Sequence, residues 1–278
     1  MKMYELLFKT LRYHNKNKIS YKEAETILLS IINKPKEYLY ANFREKISNK
    51  VKNIFLNKIR KRINGIPLQY LTNFEFFYGR KFLVKKGVFI PRPETETLIE
   101  AVKKINIKNN YSCLDIGCGS GCIGITLKLE LPYIKDITFI DKNKTAIKIT
   151  KQNINIHKIN GNVINLCFFK YIKKNKTKYD IAVCNPPYIS YDLFNNLQEE
   201  VKNEPKSALL AKKNGYDFYI RLAGSGKNFL KNNGFLILEA GINMAENIKK
   251  IFNKNWSFLF SINDFNNIER SLVFQLRF

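Results

Sequence analysis

The chain has 278 residues, 45% of them hydrophobic, which is long and apolar enough for a sizeable core and for two domains. Lys and Arg number 48 against 23 Asp and Glu, a formal charge of +25, but the excess is mostly lysine and runs through every segment beside abundant Asn and Ile, so it reads as compositional bias and not as a nucleic-acid stripe. No run approaches the roughly 18 apolar residues of a membrane span, and five cysteines, an odd number, do not form a disulfide framework, so a soluble cytoplasmic protein with reduced thiols is expected.

Residues 1 to about 65 carry helical signals. Ser20-Tyr21-Lys22-Glu23 is a capping box in which serine takes an amide and Glu23 returns to the cap. Pro35 suits a first helical position. Ile47, Val51, Ile54, Phe55, Ile59 and Ile63 follow helical spacing with basic residues on the opposite face, and Gly65 supplies a stop. Phe74, Phe76, Phe77 and Tyr78, then Phe82, Leu83 and Val84, with Gly79 between, predict a β-hairpin within 72–92. Ile90-Pro91-Arg92-Pro93 is extended because residues before proline avoid the helical region, and Glu94 to Lys104 resume as a helix.

From about 111 onward strands and helices alternate. Strands are predicted near 111–116, 136–141, 162–168, 179–184, 235–240, 256–263 and 271–278, with helices near 121–131, 143–157, 215–232 and 243–253. Such alternation means an α/β fold with a parallel sheet covered on both faces. The turn-like connector at Asn266-Asn267 makes the last pair antiparallel. This order resembles the seven-stranded, Rossmann-like sheet of the class I S-adenosylmethionine methyltransferases.

Cys113-Leu114-Asp115-Ile116-Gly117-Cys118-Gly119-Ser120-Gly121 runs off the first of these strands into a helix. Its glycines let the backbone approach a ligand, and the helix N-terminus supplies amides. Asp141, at the end of the next strand, is placed to accept from two ribose hydroxyls. Asp115 suits the region of a zwitterionic amino-acid tail. A nicotinamide dinucleotide would use a similar turn, and Gly124 completes a loose version of that pattern. Asp115 and the segment that follows the fourth strand decide against it. Cys113, Cys118 and Cys122 lack C-x-x-C spacing and read as small buried hydrophobes. His14 and His157 fall on separate predicted helices, so neither a metal site nor a Ser-His-Asp triad is expected.

Asn185-Pro186-Pro187-Tyr188 closes the apolar run Tyr179-Asp180-Ile181-Ala182-Val183-Cys184. It points to methyl transfer onto an amide-type nitrogen. The lone pair of such a nitrogen is delocalised, so positioning must do most of the work. An Asn carbonyl and the adjoining Pro186 carbonyl can each accept one N–H and turn the lone pair toward a methyl donor. The prolines stiffen that backbone, and Tyr188 offers a flat face and a hydroxyl.

With these residues in place, the chain resembles the peptide-chain release factor N5-glutamine methyltransferases, the HemK/PrmC family, over nearly its whole length. The likeness lies in Pro67-Leu68-Gln69-Tyr70-Leu71 before Phe74-Glu75-Phe76, in Ile90-Pro91-Arg92-Pro93-Glu94-Thr95-Glu96, in Leu114 to Gly121, in Asn185-Pro186-Pro187-Tyr188-Ile189, in Glu204-Pro205 with Ala208-Leu209, and in Leu238-Glu239. The resemblance implies a helical recognition domain (1–71), a hairpin linker (72–92) and a methyltransferase domain (93–278). It implies that Gly117, Cys118, Gly119, Ser120, Gly121 and Asp141, with Asp115, Phe168 near the adenine, and Asn185, hold S-adenosylmethionine. It places Asn185, Pro186, Pro187 and Tyr188 on the substrate glutamine of the Gly-Gly-Gln loop. Cys167 stands where an acid is usual beside the adenine, and Asn73 where glycine is usual. A monomer is expected, acting on release factors, with no membrane and no requirement for nucleic acid. The alternatives are a nucleic-acid amino-methyltransferase acting on adenine N6 or guanine N2 of a flipped base, and a scaffold that has lost activity.

Overall fold

The computed structural model describes residues 1–13, 19–105 and 110–277. The chain forms two compact units, Met1–Phe74 with Gln198–Asn203, and Glu75–Leu197 with Glu204–Phe278.

The first unit is helical: α1 (Met3–Tyr13), α2 (Tyr21–Ile32), α3 (Lys36–Ala41), α4 (Asn49–Ile63) and α5 (Leu68–Thr72). The capping box forms as its spacing dictates. The Glu23 amide donates to the Ser20 hydroxyl at 3.2 Å, and the Ser20 amide donates to the Glu23 carboxylate at 2.8 Å. Pro35 is the cap of α3, one position before its first helical residue. Val51, Phe55, Ile59 and Ile63 recur every four residues as one apolar stripe, with Phe55 and Ile59 fully enclosed among Leu7, Ile27 and Leu28. Ile54 lies about 100° round the helix from Phe55 and stays 39% exposed. Asn73 explains its departure from glycine: it follows α5 with φ +65°, a left-handed conformation that asparagine tolerates better than most residues. His14 lies outside the described residues.

A hexapeptide from far along the sequence completes this unit. Arg62 donates from Nε to Glu23 at 2.8 Å and from Nη2 to Glu200 at 2.5 Å, and the Asn203 amide donates to the Gly65 carbonyl at 3.1 Å. Replacing Arg62 by alanine leaves two facing carboxylates without their shared cation. Because Glu200 is partly solvated, the expected loss is about 1–3 kcal/mol, read as a lower urea midpoint for the helical unit.

Along the chain a hairpin follows, β1 (Phe74–Phe77) and β2 (Arg80–Leu83). Tyr78 and Gly79 both take positive φ, as a two-residue turn between twisted strands requires. A seven-stranded sheet follows: β3 (Tyr111–Ile116), β4 (Ile134–Asp141), β5 (Asn162–Asn165), β6 (Tyr179–Cys184), β7 (Leu230–Glu239), β8 (Trp256–Asn263) and β9 (Glu269–Leu276). Their order is β5-β4-β3-β6-β7-β9-β8. The pairs from β5 to β7 are parallel, and β9 is antiparallel to both β7 and β8. Along β6, Ile181, Ala182, Val183 and Cys184 are all buried, alternate residues belonging to two different cores, which is why the strand reads as an unbroken apolar run.

Helices α6 (Thr97–Lys104), α7 (Cys122–Glu130), α8 (Lys144–Ile156), α9 (Phe168–Lys174), α13 (Asp217–Ala223) and α14 (Ala245–Ile251) cover the sheet. The short helices α10 (Tyr191–Phe194), α11 (Glu199–Lys202) and α12 (Lys206–Leu209) lie in the connection from β6 to α13, with α11 in the first unit.

Three expectations are corrected. The strand predicted over 162–168 stops at Asn165, and Phe168 opens α9 instead, because Phe168, Tyr171 and Ile172 bury a helical and not an alternating face. The helix expected over 215–232 ends at Ala223, and β7 starts at Leu230. The chain turns there through Gly226, whose added Cβ would lie 2.4 Å from the Trp256 ring, so close packing selected that glycine. The helix from Glu94 begins as a 3-10 turn, Pro93–Glu96.

Candidate active site

The carboxyl ends of β3, β4 and β6 build the site. After Ile116 the backbone needs left-handed conformations in quick succession, and Gly117, Gly119 and Gly121 supply them with φ +71°, +57° and +81°. Nothing lies within 4 Å of an added Cβ at Gly117, so the turn leaves open space on its ligand side. At the end of β4, Asp141 receives the Gly119 amide on Oδ2 at 3.1 Å and the Asn143 amide on Oδ1 at 2.8 Å. Burial raises its pKa, and the two amides oppose that shift.

Asp115 is fully buried inside β3. Its Oδ2 accepts from the Gly124 amide at 3.0 Å, while Oδ1 has no hydrogen-bond partner. Burial pushes the carboxyl up to about 7, and the nearby charge of Asp141 acts in the same direction. Gly124 serves packing: an added Cβ would stand 2.4 Å from the Phe139 ring. The apparent dinucleotide pattern is therefore a helix pressed onto a strand.

A cavity of about 870 Å³ lies over these strand ends, within the usual range for small-molecule sites. Its wall brings together Gly117, Cys118, Gly119 and Ser120 with Asp141, Phe168, and Asn185, Pro186 and Pro187. Asp115, Gly121 and Tyr188 are not part of that wall. Gly121 instead begins α7, where an added Cβ would sit 2.9 Å from Thr150. Cys167, which replaces the expected acid, lines the cavity beside Phe168. The open glycine cradle and the Asp141 carboxylate suit a nucleoside bearing hydroxyl donors.

Past Cys184 the chain presents Asn185. Its Nδ2 donates to the Thr95 hydroxyl at 3.1 Å, and that hydroxyl donates to the Glu239 carboxylate at 2.6 Å. The Tyr188 hydroxyl donates to the other Glu239 oxygen at 3.4 Å. Tyr188 thus turns toward β7, held between glycines: an added Cβ at Gly241 would lie 2.9 Å from its ring, and one at Gly215 would lie 2.3 Å from its carbonyl oxygen. Glu239 is fully buried, and burial pushes its pKa up to about 7 against the hydrogen bond from Thr95 and the positive charge of Arg270.

Thr95 and Glu239 stand in the Pro-Arg-Pro-Glu-Thr-Glu and Leu238-Glu239 segments, whose sequence alone assigns them no role. The available signal was an acid ending a buried apolar strand, Leu236-Ile237-Leu238-Glu239. The Pro-Arg-Pro-Glu-Thr-Glu segment is also anchored to Glu204, which accepts from the Ile90 amide at 3.0 Å and pairs with Arg92. Two motifs separated by more than a hundred residues therefore form one wall.

Two family models match the chain: the methyltransferase small domain over residues 80–215 and the PrmC N-terminal domain over residues 10–72. The release factor glutamine methyltransferase of Aquifex aeolicus is 31% identical over 255 residues, covering 91% of this chain and 90% of that protein. The bifunctional methyltransferase of Rickettsia typhi is 35% identical over 250 residues, 83% of this chain, and the chain spans 48% of its length. A solved methyltransferase from Pyrococcus furiosus superposes with a TM-score of 0.53 at 16% identity, covering 73% of this chain and 91% of that one, a likeness of fold.

Proposed function

The chain belongs to the release factor glutamine methyltransferases, and from that premise we propose that it transfers a methyl group from S-adenosylmethionine to the side-chain amide nitrogen of the glutamine in the Gly-Gly-Gln loop of release factors. The observation that carries this reading is that one cavity is lined both by the glycine turn with Asp141 and by Asn185 and Pro186.

When bound, S-adenosylmethionine supplies a methyl group on a cationic sulfur that departs as a neutral thioether. The turn from Gly117 to Ser120 would hold its amino-acid part, Asp141 its ribose, and Phe168 would border the adenine. Asn185 Oδ1 and the Pro186 carbonyl would each accept one N–H of the glutamine amide, turning the nitrogen lone pair toward the cofactor end of the cavity. Transfer would form the N–C bond as the S–C bond breaks, and the proton released from the alkylated nitrogen would pass to solvent without a dedicated base. Pro187 would keep the acceptor backbone rigid. The helical unit would recognise the body of the release factor. The reading has the protein acting as a monomer in the cytoplasm.

The test is transfer of labelled methyl from S-adenosylmethionine to a release factor, to its Gln→Ala form, and to DNA and RNA. Label on the intact release factor alone is expected. Label confined to nucleic acid would replace this reading with base methylation.

A further inference from the structure

We propose that Thr95 and Glu239 are positioning residues that decide which end of the Asn185 carboxamide faces the cavity; this deepens the transfer reaction proposed above and rests on it. The two ends of a carboxamide are similar in shape and opposite in chemistry, since the oxygen accepts and the NH2 donates. A site that grips a substrate amide by its protons needs the oxygen. Prolines fix where Asn185 stands, but not how its amide is turned.

The structure contains a chain of constraints that does turn it. An ionised carboxylate can only accept. Thr95 Oγ1 lies 2.6 Å from Glu239, so its single proton is committed there, and its lone pairs can only accept from the group 3.1 Å away. That group must be the Asn185 NH2, which sends Oδ1 the other way. Tyr188 commits its proton to the same carboxylate, and the Tyr219 hydroxyl fixes the Glu239 main chain by donating to its carbonyl at 2.8 Å. The 3-10 turn at Pro93–Glu96 sets the height of Thr95, whose amide donates to the Arg92 carbonyl at 3.1 Å.

The charge state of Glu239 controls the chain. Burial and Glu94 favour the protonated form, while Thr95, Tyr188 and Arg270 favour the anion, and the balance stands at about 7. Below that pH the carboxyl acquires a proton it can offer to Thr95, the hydroxyl is free to reverse, and Asn185 loses its constraint. The rate should therefore rise with pH through about 7, and this limb should vanish in Glu239→Gln.

Thr95→Val keeps the side-chain shape and removes the hydroxyl. It should lower kcat about 10- to 100-fold with KM for the release factor changed less than about twofold, the pattern of a lost alignment. Thr95→Ser should recover most of that rate. A readout independent of turnover is the Asn185 side-chain amide in nitrogen-15 NMR, identified by its loss in Asn185→Ala. One of its protons should be protected from exchange in wild type and Thr95→Ser and unprotected in Thr95→Val. Full kcat in Thr95→Val, an effect confined to KM, or an unchanged Asn185 signal would overturn the proposal. If the wild-type protein labels no release factor, the functional reading fails, and the NMR comparison still decides the positioning.

Discussion

Replacing Asn185 by alanine is expected to lower kcat for release-factor methylation by about a thousandfold, the scale seen when one preorganised polar group is removed from a reacting centre. Asn185 lines the cavity and is held by a buried network, through Thr95 to Glu239. Alanine removes an acceptor for the substrate amide and leaves Thr95 without its donor, so the nitrogen keeps its rotational freedom and its lone pair is seldom aligned. Cofactor affinity should fall much less than the rate, because the glycine turn and Asp141 are intact. Single-turnover rates beside calorimetric titration of S-adenosylmethionine separate the two quantities. A variant that turns over at the wild-type rate would remove Asn185 from the proposed mechanism.

Exchanging Asp141 for asparagine should weaken S-adenosylmethionine binding about 10- to 100-fold, the cost of losing hydrogen bonds to a charged group. The substitution is nearly isosteric, yet the native carboxylate receives a different backbone amide on each oxygen, from Gly119 and from Asn143. A carboxamide has one acceptor, so its NH2 must face an N–H. The loop relaxes away from that clash, and the anionic acceptor proposed for the ribose is lost as well. The effect should appear in Kd, with the rate at saturating cofactor much less affected. An affinity within threefold of wild type would show that Asp141 only ties the loop.

Legibility in the sequence followed the range of the underlying interactions. The Ser20–Glu23 box, the Tyr78-Gly79 turn, the apolar strand Tyr179–Cys184 and the glycines after Ile116 were readable because cap chemistry, left-handed backbone and burial on two faces are set within a few residues. Phe168 reads as strand in the sequence because its aromatic run hides the helical period, and Gly226 reads as helix because the Trp256 ring that excludes a side chain lies 30 positions further on. Gly124 completes a loose dinucleotide pattern in the sequence, while the partner that accounts for it, Phe139, is on the neighbouring strand.

The sequence alone determined the alternating α/β order, the helical leader, the glycine turn ending at a helix and the rigid Asn-Pro-Pro segment, since each follows from local backbone energetics and hydrophobic period. Only the tertiary structure decided that Thr95, Asn185 and Glu239 share hydrogen bonds, that Tyr188 turns toward β7, and that residues 198–203 fold with the helices. Asn185 and Glu239 come together because β6 and β7 are neighbours, the Pro93–Glu96 turn brings Thr95 to both from 90 and 144 residues away, and the orientation of a carboxamide or the charge of a buried acid is fixed by neighbours that no local pattern names.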